Sequence, residues 1–153
     1  STLNKLLLWL GEERRFSVEK YQSIIKAVPA YHASNYIIER IVGKVNGDQI
    51  TIRSRSLTKV IYFTGDTVLY SKLTKNIPQN IDVIFANLGA VKSGSFGGPF
   101  TMDLEMLKQM ESLLKPKNVY PLHIEDYSHY KTTRKEVEAV GYKVLVVGDS
   151  ISI

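Results

Sequence analysis

The sequence predicts an α/β protein in which helices pack against a β-sheet. Its first half contains strand patterns separated by turn residues, and its second half alternates strand patterns with helix patterns. Of the 153 residues, 44% are apolar and 23% are charged, which is typical of a globular domain with its own core and not of a disordered chain. We therefore expect one domain over residues 1–153.

The first predicted element is a helix over residues 3–15, because its leucines cluster on one side and Glu12 to Arg15 form a charged group. Residues 17–28 fit either a helical stripe or a strand. The run from Ser23 to Val28 leads into Pro29, and a residue before proline avoids helical backbone angles. A strand is therefore expected in the second half of that segment.

A hairpin and a buried strand follow in the first half. Asn46-Gly47 is a strong hairpin signal, because both central positions of the tightest hairpin turn need positive φ. It would join strands at residues 41–45 and 48–52, the second of which alternates apolar and polar side chains. Residues 59–63 are nearly all apolar, which predicts a strand that is buried on both faces.

The second half reads as alternating strands and helices. The predicted elements are a short helix over 69–75, a strand over 81–86, a loop with four glycines over 89–99, a helix from Thr101 to just before Pro116, a strand over 118–122, a helix from Thr133 to Gly141 and a strand over 143–147. Thr101 can cap the first long helix, with Asp103 in its first turn. Thr133 and Glu136 have the spacing of a capping box. The apolar face of the Thr101 helix is predicted to consist of Met106, Leu107, Met110, Leu113 and Leu114.

Several classes of protein are disfavoured by the sequence. No apolar run approaches the roughly 20 residues of a membrane helix. The chain has no cysteine, which removes thiolate ligands and nucleophiles and favours a reducing, cytoplasmic location. It has no Gly-x-Ser-x-Gly elbow and no phosphate-binding glycine motif, so a serine hydrolase or nucleotide-loop protein is not expected. The net charge of +5 fits a solvated surface, an anionic small-molecule substrate or weak contact with nucleic acid.

Three metal-capable side chains each come just after a predicted strand: His32, Asp66 and His123. They are far apart in sequence, so only a sheet that brings its strand ends to one edge can unite them, and that edge usually holds the ligands of α/β sheets. Imidazole is a good ligand for zinc, iron or manganese, and a carboxylate can bridge two ions. Paired ions acidify a water and polarise a carbonyl or phosphoryl oxygen.

Each of these signals also has an ordinary structural interpretation. A histidine after a strand is more often packed or on the surface than bound to metal, and Gly65-Asp66-Thr67 is often only a turn. His129 and Asp126 can be loop residues, or Asp126 can orient a neighbouring ligand. The glycine-rich loop around residues 94–98 is either a surface loop or a rim over the substrate.

The order of these segments resembles the metallo-β-lactamase superfamily, and within it the metal-dependent hydrolases similar to L-ascorbate-6-phosphate lactonase. The segments that carry the resemblance are AVPAYH, VIYFTGDT, IDVIFANLGA and GGPFTMDLEMLKQMESLLKPKNVYPLHIEDYSHY, within residues 24–150. The resemblance implies that His32 and His123 are ligands of two metal sites and that Asp66 bridges them. It implies that His129 faces the substrate or supports the site, so Asp66 and His129 are the candidate catalytic residues.

One departure from the family is large. Its His-x-His-x-Asp-His motif is absent, and the three histidines of the chain leave no room for it. Members of the family run to about 200–250 residues in a single domain. The chain is therefore expected to be mainly the second αβ half of an αββα sandwich, over residues 24–150, with a leader over 1–23. Either the natural protein is longer, or this relative has lost the first motif.

Three functional hypotheses follow. The first is a metal-dependent hydrolase of an ester, lactone or phosphoester, with two zinc or manganese ions in a complete site. The second is a non-catalytic half-fold that binds or assembles with other proteins, since an uncovered sheet face favours a homo-oligomer. The third is a nuclease-like member, for which nucleic acid would be a less expected partner than a small molecule. The basic residues that could contact phosphates in that case are Arg53, Arg55, Lys59, Lys72 and Lys75.

Overall fold

The computed structural model describes residues 8–31, 45–69, 73, 76–77, 79–93, 97–126, 128 and 130–153. Their elements are β1 (Glu13–Val18), β2 (Tyr21–Pro29), β3 (Asn46–Arg53), β4 (Thr58–Phe63), β5 (Val83–Asn87), β6 (Lys92–Ser93), β7 (Gly97–Pro99), α1 (Leu104–Leu114), β8 (Asn118–Leu122) and α2 (Arg134–Ala139). A six-stranded sheet has the order β1-β2-β3-β4-β5-β8, and β6 and β7 form a separate ribbon. Within these residues no helix is long and apolar enough to cross a membrane.

The sheet brings four strand ends to one edge. The strands β1 to β4 pair in antiparallel fashion, whereas β4, β5 and β8 are parallel neighbours. It follows that β2, β4, β5 and β8 all run in the same direction. Their carboxyl ends, and the residues that come directly after them, meet at a single edge. We call this edge, with the residues that follow these four strands, the carboxyl edge.

The two helices cover one face of the sheet. Tyr62 and Ile84 on that face are fully buried, and they belong to one cluster with Leu107 and Met110 of α1 and Val137 of α2. Because Cβ atoms alternate along a strand, the residues that follow Tyr62 and Ile84 point to the opposite face. There a row of rings crosses three strands: Phe63 stacks on Phe85 at 4.6 Å between ring centroids, and Phe85 on Tyr120 at 5.8 Å.

The strongest local predictions are confirmed. Strands appear where residues 59–63, 81–86 and 118–122 predicted them, with the second shifted to Val83–Asn87. The strand at the end of residues 17–28 is also confirmed as β2. Thr133 and Glu136 form the predicted capping box of α2. These patterns succeed because the apolar run or the cap is sufficient to specify the element locally.

The predicted helix over residues 3–15 is wrong in its described part. Residues 13–18 form β1, which pairs with β2 along its whole length, from Glu13 opposite Lys26 to Val18 opposite Tyr21. Trp9 and Leu10 are exposed, and the chain turns at Gly11, where φ is +85°. Pairing with a neighbouring strand therefore overrides the local helical pattern, and residues 1–7 lie outside the described part of the chain.

The predicted hairpin at Asn46-Gly47 is also wrong. Both residues lie inside β3, where Asn46 is opposite Pro29 and Gly47 is opposite Val28. A Cβ atom on Gly47 would lie 2.8 Å from the carbonyl oxygen of Phe63. Glycine is needed here for close packing of backbones and not for a turn. The predicted strand over 41–45 falls almost wholly outside the described residues.

Three further predictions differ from the structure. The cap of α1 is Asp103, whose side chain accepts from the N–H of Met106, whereas Thr101 accepts from the N–H of Val91. Leu113 is 60% exposed although it was placed on the buried face of that helix. The loop over 89–99 contains the β6–β7 ribbon. The short helix expected over 69–75 lies mostly outside the described residues.

The predicted last strand, residues 143–147, does not form. Its end is a turn, in which the Asp149 side chain accepts from the N–H of Val146 at 3.1 Å and the Asp149 N–H donates to the Val146 carbonyl at 3.0 Å. Val146 and Val147 are exposed, so they gain no burial that would favour pairing. An apolar run alone did not specify a strand here.

Candidate metal centre

Polar side chains from three neighbouring parallel strands meet at the carboxyl edge. Asp66 follows β4, Asn87 is the last residue of β5, and His123 comes directly after β8. The Nε2 atom of His123 lies 3.8 Å from Oδ1 of Asp66. The side-chain amide of Asn87 donates to the same Oδ1 at 2.9 Å. An imidazole and a carboxylate from distant parts of the sequence thus face each other.

The turn that carries Asp66 is fixed to the sheet. Gly65 has φ of +61°, and a Cβ atom there would lie 2.6 Å from the carbonyl oxygen of Asn46, so only glycine fits without displacing backbone. The Thr64 hydroxyl donates to the Gly65 carbonyl at 2.9 Å and accepts from the Asn87 N–H at 3.1 Å. Because these bonds tie the turn to β5, the carboxylate of Asp66 has a defined position relative to Asn87.

His123 is held by contacts at both ring nitrogens. A carboxylate oxygen of Asp126 lies 2.6 Å from Nδ1, and the Tyr130 hydroxyl forms a hydrogen bond with Nε2. A carboxylate can only accept, so Nδ1 carries a proton, and in the neutral imidazole Nε2 then offers its lone pair. His123 has φ of +60° and Glu125 has φ of +59°, a left-handed backbone that is uncommon for residues other than glycine. Strained backbone of this kind is frequent at functional sites.

The end of β2 lies beside the Asp66 turn. The Tyr31 N–H donates to the Thr67 hydroxyl at 2.8 Å, and the Val68 N–H donates to the Tyr31 carbonyl at 2.8 Å. Tyr31 directly precedes His32 in the sequence. His32 itself and His129 lie outside the described residues, so their predicted roles stay predictions.

Two residues at the carboxyl edge were missed by the sequence analysis. Asn87 ends a buried parallel strand, and the rule that selected His32, Asp66 and His123 by their place after a strand would have selected it too. Tyr130 had no comparable signal, because its contact with His123 depends on the path of the loop after β8. Asp126 was considered as a residue that orients a neighbouring ligand, and its contact with Nδ1 of His123 has that geometry.

The donors that meet here fit a divalent ion in part. Zinc binds histidine nitrogen and carboxylate oxygen at about 2.0–2.2 Å, so one ion can reach both atoms of a pair that are 3.8 Å apart. Across the described ranges of the chain, no group of three or more histidine, aspartate or glutamate side chains is arranged to hold a metal. The pair supplies two donors, and further ligands would have to come from residues beyond those described.

Comparisons with known proteins agree with this architecture. The family described as "Beta-lactamase superfamily domain" matches residues 9–124. A UPF0173 metal-dependent hydrolase of Anoxybacillus flavithermus is 28% identical over 134 residues, which cover 84% of this chain and 56% of that protein. The chain therefore spans about half the length of the curated relative it matches.

Two solved structures share the fold. The structure described as a possible metal-dependent hydrolase from Veillonella parvula has a TM-score of 0.68 at 16% identity, covering 91% of this chain and 56% of that one. An isothiocyanate hydrolase from Delia radicum gut bacteria has a TM-score of 0.64 at 22% identity, covering 86% and 51%. At these sequence identities the likeness shows a shared fold alone.

Proposed function

Since this chain belongs to the metallo-β-lactamase superfamily, we propose that it acts as a metal-dependent hydrolase on an ester, a lactone or a phosphoester. The observation that carries the proposal is the approach of Asp66 and His123 to 3.8 Å at the carboxyl edge of parallel strands. Nothing in the sequence separation of these residues requires it, whereas a shared cation would. The curated relative is also named a metal-dependent hydrolase.

The proposed ligands are His32, Asp66 and His123, with Asp66 bridging two ions in a complete site. The ions, zinc or manganese, would supply Lewis acidity and a water of lowered pKa. Support for His32 comes from its neighbour Tyr31, whose backbone is bonded to Thr67 next to Asp66. The remaining ligands of a two-ion site would come from a longer natural sequence or from a partner chain, since this chain matches 56% of its relative.

The residues around these ligands have defined tasks in the proposal. Asn87 donates to Oδ1 of Asp66 and so orients the carboxylate. Asp126 holds Nδ1 of His123, which directs Nε2 toward Asp66. Asp66 would also hold the attacking water in position and accept its proton. His129 is proposed to face the substrate, where it affects affinity or rate more than metal content.

The substrate and setting are proposed in general terms. The net charge of +5 favours an anionic small molecule over a neutral one. The resemblance to L-ascorbate-6-phosphate lactonases suggests a phosphorylated lactone as a first compound for testing. The absence of cysteine supports a cytoplasmic location, and a homo-oligomer stays part of the proposal.

The test is Asp66→Asn in the full-length protein. The amide keeps the size of the side chain but removes the charge that binds the ion and the proton acceptor, so hydrolysis of a panel of esters, lactones and phosphoesters should fall at least about a hundredfold. Asp149→Asn, on an exposed turn far along the chain, is the matched control and should keep full activity. Turnover like that of the wild type in Asp66→Asn would remove this residue from the mechanism.

A second candidate is a non-catalytic binding or assembly module. It is favoured by the finding that the part of the chain described here brings together two metal-capable side chains and no group of three. Calorimetric titration with Zn²⁺ or Mn²⁺ separates the two functions. Two tight equivalents per chain support the hydrolase, whereas no binding, together with no effect of Asp66→Asn on any measured property, supports the module.

A further inference from the structure

We propose that Tyr130 is a positioning residue of the candidate metal centre, whose hydroxyl competes with a cation for Nε2 of His123. The inference rests on the proposed function, because it assumes that His123 is a metal ligand. It adds a residue that neither the sequence pattern nor the comparisons assign. Tyr130 follows the loop after β8, and its hydroxyl forms a hydrogen bond with Nε2.

The competition follows from the number of lone pairs on the imidazole. Asp126 contacts Nδ1 at 2.6 Å, so in the neutral imidazole, the form that binds a metal ion, Nδ1 carries the proton and Nε2 is the acceptor. Nε2 has one lone pair in the plane of the ring. A hydroxyl that donates to it and a metal ion that binds it cannot use it together. The same Nε2 lies 3.8 Å from Oδ1 of Asp66, so the hydroxyl contacts the atom through which His123 would bind an ion shared with Asp66.

The position of Tyr130 is built into the fold and does not depend on this one bond. Its ring packs edge-to-face against His123, with 4.9 Å between ring centroids and an interplanar angle of 70°. The next residue, Lys131, donates its N–H to the carbonyl of Gly89 at 3.1 Å. The edge of the Tyr130 ring lies beside Gly89, where a Cβ atom would be at an ordinary contact distance of 3.4 Å from Cε1. The end of β5 and the end of β8 thus both hold Tyr130 in place.

The competition has a measurable consequence for metal affinity. A cation that binds Nε2 must first displace the hydroxyl, and the net strength of one hydrogen bond weakens the apparent affinity. Tyr130→Phe removes the hydroxyl but keeps the ring against His123 and Gly89. The variant should therefore bind Zn²⁺ or Co²⁺ between about twofold and about tenfold more tightly than the wild type.

The experiment is calorimetric titration of the full-length protein with Zn²⁺, with Co²⁺ absorption as a second readout of coordination. Tyr142→Phe is the matched control, because the Tyr142 hydroxyl also donates to a side-chain acceptor, Glu111, away from the carboxyl edge. It should leave the affinity unchanged. His123→Ala should lose Zn²⁺ binding, which would show that the titrated site includes His123. Histidine ¹⁵N NMR adds a signature that packing alone would not move: the His123 Nε2 resonance should shift in Tyr130→Phe before any metal is added.

The outcomes separate the inference from the proposed function. Tighter binding in Tyr130→Phe together with the Nε2 shift supports the competition. If Tyr130→Phe binds Zn²⁺ no more tightly than the wild type while His123→Ala does not bind Zn²⁺, the role of Tyr130 is overturned and the metal site stands. No binding in the wild type or in any variant overturns both. If Tyr130→Phe does not fold, an ¹⁵N resonance of wild-type His123 Nε2 that shows no hydrogen bond overturns the inference.

Discussion

At the scale of single residues, the position of Gly65 at the carboxyl edge accepts only glycine without strain. Gly65 combines a left-handed backbone with a close approach to β3, since a Cβ atom would lie 2.6 Å from the Asn46 carbonyl. Asp66 follows it directly, so any shift of this turn moves the carboxylate away from Asn87 and His123. The identity of residue 65 therefore affects both stability and the candidate centre.

We expect Gly65→Ala to lower the free energy of unfolding by about 2–4 kcal/mol, because the strained φ and the backbone clash both add cost. Gly148→Ala is the matched control: it also has a positive φ, +96°, but its Cβ atom would meet nothing within 4 Å. It should lose only about 1 kcal/mol. Urea denaturation followed by circular dichroism measures both. Equal losses would show that the contact with Asn46 costs nothing.

Asp126 acts on His123 from the side opposite Asp66. Its carboxylate contacts Nδ1 at 2.6 Å, which fixes the orientation of the ring and directs Nε2 toward Asp66. In Asp126→Asn the acceptor becomes neutral and less effective, so the affinity for Zn²⁺ should fall about tenfold, measured by calorimetry. Glu125→Gln changes the adjacent acid, which bonds to the Arg134 N–H instead, and should have no effect on metal binding. An unchanged affinity in Asp126→Asn would separate Asp126 from the metal centre.

At the scale of elements, sequence patterns predict a strand or helix correctly where the segment's own residues specify its structure. The apolar runs of β4, β5 and β8 and the Thr133–Glu136 box were sufficient to place these elements. The predicted helix over residues 3–15 overlaps β1 at Glu13 to Arg15, and these residues instead begin an edge strand because their backbone bonds go to β2. A sequence does not reveal which partner strand will be available, so such pairing cannot be read locally.

The same limit applies to the candidate centre. The rule that strand ends hold ligands selected Asp66 and His123 from their positions alone, and the parallel pairing of β4, β5 and β8 brings them together. The contact of Tyr130 with His123 could not be anticipated, because it depends on left-handed angles at His123 and Glu125 that bend the loop back. Residues that act through loop geometry have no fixed spacing in sequence.

At the scale of the whole molecule, the two edges of the parallel strands have different chemistry. The carboxyl edge gathers polar groups around Asp66, whereas the opposite edge holds one buried carboxylate, Asp82, which is 4% exposed. Lys117 lies 2.7 Å from Asp82 and Lys59 lies 3.7 Å away, and the Val60 N–H donates to Asp82 at 2.8 Å. Asp82 thereby joins the starts of β4, β5 and β8 and fixes the register that aligns their other ends.

The electrostatics of Asp82 predict how stability depends on pH. Burial raises the pKa of this carboxyl, but the Lys117 hydrogen bond, the Val60 N–H and the charges of Lys117 and Lys59 outweigh it and hold the pKa below its ordinary value of 3.8. A carboxyl whose pKa is lower in the folded state binds its proton more readily when unfolded. Its contribution to stability is thus complete above the ordinary value and is lost as the pH falls through the folded pKa.

Asp82→Asn should therefore destabilise the protein by about 1–3 kcal/mol at pH 7, because it removes a charge-assisted hydrogen bond and leaves two lysines without their partner. The difference between wild type and variant should shrink as the pH is lowered below about 4, since the unfolded chain then binds a proton that the folded carboxyl binds only at lower pH. Urea denaturation between pH 3 and pH 7 measures this. Asp103→Asn is the control, because it makes the same carboxylate-to-amide change at the cap of α1, where asparagine also caps well. A difference between wild type and Asp82→Asn that stays constant over this range would mean that the charge of Asp82 does not hold the three strands together.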